Sequence, residues 1–327
     1  MKYSHSSIPV LTIGIPTFNR RDAVLERLQE LLSFDLDRKI EILIIDNHSS
    51  DGTISALQRV EVPSHLVSNI QILENDENLG YDGNFYRLFS QCRTDYLLIS
   101  SDEDEIFKNG INDLLNFLVS QQPDFVSPQA LINGLLYRGK NKSKAIEFYE
   151  HPEASFYISG LCFKTESAMK FLDFLKRLSH KNALVEVYPQ TALAGCLVAM
   201  GSGYWLDVVV ATKRADLPSS ILHSSGNIYF HLPGRYEQFK GSLELNDLLL
   251  SHELIPSSVH SKIRVYNSIL HRDLFKRVRG ALREEDADLA REFDRGAIKF
   301  YLISFLLTPL RYRIGKVVKK IKSLRSK

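Results

Sequence analysis

Four short apolar runs, each followed by polar residues and then by a helical pattern, constrain this chain more than any other feature. They lie at residues 10–15, 40–45, 70–73 and in the stretch opening at Leu97. Strands that are apolar on both alternations belong to a parallel sheet covered by helices on each side. The segments between them supply such helices. Val24, Leu25, Leu28, Leu31 and Leu32 recur at helical spacing after the first run, with Asp22 placed to cap their first turn. Each run ends in polar residues: Thr17 and Asn19, then Asp46, then Asn75, then Asp102 and Asp104. In open α/β sheets, ligands bind beyond the carboxyl ends of the strands, so four polar clusters there predict a site. No G-x-G-x-x-G follows the first run, and no G-x-x-x-x-G-K-[ST] occurs, which argues against dinucleotide and P-loop folds.

The fourth run, L-L-I-S-S-D-E-D-E-I over residues 97–106, stops at four consecutive acids, Asp102, Glu103, Asp104 and Glu105. Such a cluster repels itself unless something positive sits beside it. A hard divalent cation would serve, with Asp102 and Asp104 as a D-x-D pair. The other reading is that the acids favour the N-terminus of a helix beginning near Lys108.

Further along, the pattern predicts a helix over 111–119, a strand over 124–127 and a polar excursion over 138–153. A strand at 156–163 interrupted by Gly160 follows, then helices over 165–178 and 189–200, the second with Pro189 in its first turn. A strand at 204–212 ends in Lys213 and Arg214. Beyond about residue 225 the sequence reads as helical, over 236–250, 257–278 and 287–307. The expected domains are therefore 1–225 and 226–327.

With 44% apolar and 24% charged residues the composition is that of an ordinary globular chain. Three scattered cysteines offer neither a disulfide framework nor a zinc site and suit a reducing compartment. The first ten residues lack a signal peptide's apolar stretch, and no run of about 20 apolar residues marks a membrane span. The net charge of +2 conceals an asymmetry: residues 311–327 hold eight Lys/Arg and no acid, which leaves the first 310 at −6. In that tail Leu310, Ile314, Val317, Ile321 and Leu324 form one apolar stripe among basic residues, the pattern of an interfacial helix on an anionic leaflet. A solvated basic face, or one that binds nucleic acid, is the alternative. The acidic body and the lack of an aromatic-basic platform argue against nucleic acid. The expected location is cytoplasmic, on the inner membrane face.

I-P-T-F-N-R after the first run, I-I-D-N-H-S-S-D-G-T after the second, N-E-N-L-G-Y-D-G-N after the third and S-S-D-E-D-E-I after the fourth resemble inverting glycosyltransferases of family 2. The N-L-G-Y-D-G-N stretch and Tyr188-Pro189-Gln190 resemble the abequosyltransferase-like group of bacterial O-antigen and capsule enzymes. The resemblance implies an α/β chain of GT-A (Rossmann-like) fold, a mostly parallel sheet sandwiched by helices, with a C-terminal helical extension. It implies a nucleotide-sugar donor, UDP-sugars favoured, and a saccharide or lipid-linked acceptor. Pro16 and Thr17 would lie against the nucleobase, with Asn19 nearby. Asp46 would accept from the base ring N–H, or cap the turn before Ser49, while Asp51 would order its own loop. Asn78, Gly80 and Asn84 would belong to a segment closing over the nucleotide, although Asn84 also fits a local cap. Asp102 would approach the ribose or the metal, and Asp104 would bind Mn²⁺ or Mg²⁺. Glu103 would face away, and Glu105 would support the site from behind. Arg214 would add positive charge over the phosphates.

Inversion requires a general base opposite the leaving group. The family's usual acidic pair at the start of the late helix is replaced here by Glu186-Val187-Tyr188-Pro189-Gln190. Glu186 is the nearest carboxylate, with a structural ion pair as its alternative role, Asp207 and Asp216 are its rivals, and His223 fits a surface or phosphate-side position. That departure leaves open a nucleotide-sugar-binding, membrane-docked module without turnover. A nucleotidyltransferase would need a Gly-rich basic loop after the first run, and only one glycine lies in residues 10–20.

Overall fold

The computed structural model describes residues 9–36, 39–63, 69–132, 134–213, 232–253, 255–257 and 260. The chain divides into two compact units, Met1–Lys181 with Val185–Ser220, and Asn182–Leu184 with Ile221–Lys327. Arg214, Asp216, His223, the basic tail and most of the helices expected at 257–278 and 287–307 lie outside the described residues.

In the first unit, the four apolar runs become β1 (Leu11–Thr17), β2 (Glu41–Asp46), β3 (Ile70–Glu74) and β4 (Tyr96–Ile99). They pair in parallel in the order β3-β2-β1-β4. Between them run α1 (Arg21–Leu32), α2 (Thr53–Leu57) and α3 (Gly80–Gln91). The sheet continues through β9 (Cys162–Lys164), antiparallel to both neighbours, then β6 (Phe125–Ile132), β10 (Gly203–Lys213) and the short β5 (Glu105–Ile106). Two antiparallel pairings with β9 make β6 parallel to β4, so β1, β2, β4, β6 and β10 all end at one edge.

Both faces of this sheet are covered, as its composition demands. Ile13, Ile15, Val24, Leu28, Ile111, Leu114 and Leu118 share one core under α1 and α4 (Lys108–Gln121). On the other face Phe85 and Phe89 of α3 meet Phe163 of β9 edge-on, and Phe163 packs tilted on Phe125. Here α6 (Thr165–Ser179) and α8 (Pro189–Met200) complete the layer, and α8 is buried over nearly its whole length because it is apolar all round.

Gly110 fixes the approach of α4 to the sheet. A Cβ there would lie 2.1 Å from the Val209 carbonyl oxygen, a backbone atom with little room to yield. Gly110→Ala is expected to cost about 1–3 kcal/mol of overpacking, read as a lower denaturation midpoint at unchanged slope. An unchanged midpoint would show that α4 slides freely on β10.

Three expectations need correction. Residues 138–153 are not a loose excursion: β7 (Leu135–Arg138) hairpins on β6, β8 (Lys144–Ala145) pairs with β10, and a 3-10 turn leads into α5 (His151–Ser155). Its charges hide this order, because Lys144 and the Trp205 indole both bond Glu150 and Lys140 pairs with Glu153. The strand expected at 156–163 is reduced to β9, since Gly160 takes a φ of +84° and the segment before it is loop. Asp22 does not cap α1. It pairs with Arg21 inside the first turn, and the Arg21 amide instead donates to Asp51 of the neighbouring loop at 3.0 Å.

In the second unit the Asn182 amide donates to the Gly241 carbonyl of α9 (Leu232–Ser251) at 2.9 Å, and its oxygen accepts from the Leu184 amide. Among the described residues no helix is long and apolar enough to cross a membrane.

Candidate active site

The crevice lies at the shared carboxyl edge of the strands, and its loops are tied to one another. After β1, Asn19 takes a left-handed φ of 52°, its amide donates to Ser49 Oγ at 2.7 Å, and its side-chain oxygen accepts from the Ser50 amide at 2.8 Å. Asp46 at the end of β2 is fully buried, and its two oxygens accept from the Ser49 amide and hydroxyl at 2.9 and 2.5 Å. Asp51 accepts from both the amide and the hydroxyl of Thr53. In this structure Asp46 and Asp51 order the loop between β2 and α2.

A second lattice is made of asparagines. Asn47 donates to Asn78 Oδ1 at 2.8 Å and to the Gly80 carbonyl at 3.1 Å, and accepts from Asn75 at 2.7 Å. Asn84 accepts from Asn75 and donates to the Ile45 carbonyl at 3.1 Å. Asn78 also accepts from the Gly80 amide. Asn84 is buried, so its amide holds the ends of β2 and β3 together rather than lying open as a cover over a ligand. Asn47 does as much here, and Asn75 donates to both Asn47 and Asn84, because buried amide donors need partners.

The acid cluster is resolved member by member. Asp102 is buried, accepting from Thr17 Oγ1 at 2.7 Å and from Arg20 at 3.1 Å. Glu103 does not face away: its carboxylate reaches the same Arg20 nitrogen at 2.5 Å. The positive charge that the cluster demands is therefore supplied in part by the chain itself, from the loop after β1. Asp104 has different company. It accepts from the Ser159 hydroxyl at 2.5 Å and lies beside the Tyr157 hydroxyl. Burial pushes both carboxyls above the ordinary range; Arg20 and Thr17 oppose this at Asp102, and the two hydroxyls oppose it at Asp104. Glu105 pairs with Thr212 in the antiparallel β5–β10 ladder, so the acids are not helix caps: α4 begins at Lys108 with extended Phe107 before it.

Under Asp104 lies Arg138, which sequence reasoning passed over as part of a polar stretch. It is 3% exposed and donates to the carbonyls of Tyr157 at 3.1 Å and Ser159 at 2.7 Å. Burial lowers its pKa to about 10, against the opposing effects of Tyr157, Tyr137 and Asp104. Only its neighbour Gly139 hints at the turn that buries it. Phe18, exposed by 41% at the end of β1, is a second residue not singled out, and its ring is available to a flat ligand.

Glu186 sits in the single-turn helix α7 (Ala183–Val187), half-buried, just before Tyr188. The Tyr188 ring meets Phe156 edge-on at 5.0 Å, and Gln190 donates to the Phe156 carbonyl, so Glu186 adjoins the segment that carries Tyr157 and Ser159. Asp207 is exposed on β10 and accepts from Gln129 at 2.7 Å. His151 is held neutral by burial, which lowers it to about 4, and its Nδ1 meets the Phe148 carbonyl, so it is a packing residue.

Among the described residues no group of three or more His, Cys, Asp or Glu side chains is arranged to hold a metal ion. Two buried carboxylates, one of them cradled by hydroxyls, still fit a hard cation whose other ligands come from phosphate and water, as magnesium-type sites allow.

Comparison with known proteins bears on the family and the fold. Residues 12–174 match the model of Glycosyl transferase family 2. Abequosyltransferase RfbV of Salmonella typhimurium is 34% identical over 117 residues, covering 34% of this chain and 33% of that one. The GalNAc(5)-diNAcBac-PP-undecaprenol beta-1,3-glucosyltransferase of Campylobacter jejuni is 24% identical over 108 residues, covering 33% of this chain and 34% of that one. The chain thus spans about a third of the length of these curated relatives. Among solved structures, S. aureus TarS 1-349 in complex with UDP-GlcNAc has a TM-score of 0.51 at 16% identity, covering 93% of this chain and 92% of that one. The mannosyltransferase PcManGT of Pyrobaculum calidifontis, in complex with GDP-Man and Mn²⁺, has 0.51 at 15%, covering 96% and 87%. At such identities the likeness is one of fold, and that fold is GT-A. The ordered strand-end motifs, the sheet that carries them and the match over residues 12–174 place the chain in glycosyl transferase family 2.

Proposed function

We propose that this protein transfers a sugar from a nucleotide-sugar donor to a saccharide or lipid-linked acceptor in the synthesis of a bacterial surface polysaccharide, with inversion at the anomeric carbon. The observation that carries this reading is the convergence of Thr17, Arg20, Asp102 and Asp104 at the shared strand edge, backed by the hydroxyls of Tyr157 and Ser159. The activities for which the Salmonella and Campylobacter relatives are named support the reaction class, and the latter's undecaprenol-linked name supports a lipid-linked acceptor. UDP-GlcNAc and GDP-Man in the structural neighbours support a nucleoside diphosphate sugar, with UDP favoured.

Residues 1–225 would form the catalytic domain. Phe18 and Pro16 would flank the nucleobase, with Asp46 accepting from its ring through the lone pairs that Ser49 leaves. Asp102 and Asp104 would hold Mn²⁺ or Mg²⁺, as the Mn²⁺ bound in the mannosyltransferase neighbour suggests. When bound, the cation supplies Lewis-acid neutralisation of the departing diphosphate. Arg20 lies within reach of the same charge, and Arg214 would add to it. Glu186 would take the acceptor hydroxyl's proton from the face opposite the leaving group. Residues 226–327 would serve as a helical region whose basic tail docks on an anionic leaflet, on the cytoplasmic side.

Thermal-shift screening of UDP-, GDP-, CDP- and dTDP-sugars, each with and without Mn²⁺, tests the donor assignment. At 100 times Kd a ligand contributes about 2.7 kcal/mol, or on the order of 5 °C in a chain of this size. One nucleotide class is expected to give such a shift only with metal, and no shift from any sugar nucleotide refutes the proposal. Binding without turnover over a broad acceptor panel would favour the module reading that the unusual Glu186 segment leaves open.

A further inference from the structure

We propose that Arg138 is the positioning residue of the acid cluster: it clamps the Tyr157–Ser159 segment so that the Ser159 hydroxyl aims Asp104 into the donor site. The inference rests on the donor-site reading above and adds a residue that the strand-end motifs do not contain.

Arg138 is the last residue of β7, opposite Ala130 of β6, and its side chain turns inward, with its guanidinium beneath the loop that precedes β9. Burying an arginine is costly unless its hydrogen bonds and its charge are answered. Two of its nitrogens are answered by backbone carbonyls, those of Tyr157 and Ser159, while its Nε has no hydrogen-bond partner. It also lies 5.7 Å from the Tyr157 ring centroid. Of the two residues whose carbonyls it grips, Ser159 donates its hydroxyl to Asp104, while the buried Tyr157 hydroxyl makes no hydrogen bond. Backbone and side chain of one segment thus link a buried cation to a buried carboxylate without direct contact. The rest of the segment is fastened to the same end: Ser159 Oγ accepts from the Ser101 amide at 2.9 Å, and the Gly160 amide donates to the Ile99 carbonyl at 2.8 Å. Gly160 is required beneath this clamp, because a Cβ there would meet the Arg138 guanidinium at 3.2 Å in a left-handed backbone.

A lone structural arginine would be content with any polar cage. Here the planar fork, which a lysine cannot reproduce, spans two carbonyls two residues apart and fixes the position of the Ser159 hydroxyl above them. If Asp104 lost this support it would remain in the chain but swing or twist, and a metal ligand displaced by about 1 Å loses much of its value.

The experiment uses the full chain with two readouts. Hydrogen exchange of the ligand-free protein reports the clamp itself, and Mn²⁺ affinity in the presence of UDP, from the signal of free Mn²⁺, reports its consequence. Arg138→Lys and Arg138→Met are expected to speed exchange over residues 100–104 and 157–161, leaving β1 and β2 as in the wild type, and to weaken Mn²⁺ at least tenfold. UDP affinity without metal should stay within twofold. Ser159→Ala, which removes one hydroxyl and spares the arginine, is expected to weaken Mn²⁺ in the same way, and covers the case in which an Arg138 variant does not fold. Wild-type exchange over 100–104 in Arg138→Lys, or wild-type Mn²⁺ affinity in Ser159→Ala, overturns the proposal. A wild-type protein that binds no Mn²⁺ with UDP refutes the donor reading instead, while exchange still decides the clamp.

Discussion

Asp104→Asn is expected to lower kcat/KM by on the order of 10³ and to remove most of the metal dependence of donor binding, without lowering the melting temperature of the metal-free protein. The first half follows from charge. An amide keeps the shape and the bond to Ser159 but cannot answer a dication, and removing one electrostatic partner of a developing charge costs about 10²–10³ in rate. The second half follows from burial. Asp104 is held with hydroxyls for company, and burial pushes its carboxyl upward, so the fold carries an unfavourable charge there. Asparagine removes that charge, so activity falls while stability holds or rises, the pattern expected where function rather than folding maintains a residue. Asp102→Asn is the control. There the amide removes a charge that Arg20 answers at 3.1 Å, so its stability is expected to fall relative to Asp104→Asn. Steady-state transfer, Mn²⁺ titration and thermal melts on the two variants check the contrast. An Asp104→Asn protein with wild-type metal affinity and activity would remove the residue from the mechanism.

What was legible in the sequence divides by the range of the forces involved. The parallel strands were legible because each must be apolar on both alternations, a local property of four to seven residues. Their ends slipped by one or two residues, since Thr17, Asp46 and Glu74 are polar yet still in register with neighbours. The loop role of Asp51 was legible for the same reason: the bonds to Thr53 are local. Arg20 was not weighed as the partner of Asp102 because 82 residues separate them and only the pairing of β1 with β4 brings them together. Arg138 was missed for a stronger reason. Its surroundings, R-G-K-N-K-S-K, carry the composition of a solvated loop, and only the hairpin of β7 on β6 turns that one side chain inward. The asparagine lattice shows the converse: N-L-G-Y-D-G-N marked the right place, yet Asn84 is spent on the Ile45 carbonyl and Asn75, contacts that a motif cannot distinguish from contacts to a ligand.

Glu186→Gln is expected to reduce kcat by about 10²–10⁴, the usual value of a positioned general base, while the affinity for a nucleotide sugar with Mn²⁺ stays within a few-fold. The geometry favours Glu186 over its described rival. Asp207 is tied to the Gln129 amide, which also bonds the Lys140 carbonyl, and its own backbone amide donates to Ser143, so its surroundings are the β6–β10 ladder and the segment before β8. Glu186 instead precedes Tyr188 by two residues, and Tyr188 packs on Phe156, the residue next to Tyr157 beside Asp104. A proton acceptor must face the anomeric carbon from the side away from the diphosphate. Asp207→Asn should then keep kcat within a few-fold of the wild type. The decisive measurement is kcat at saturating donor and acceptor for the two variants together. A drop confined to Asp207→Asn would transfer the base to β10. Wild-type kcat in both would mean that the proton leaves by another route, through a group outside the described residues or through the departing phosphate itself.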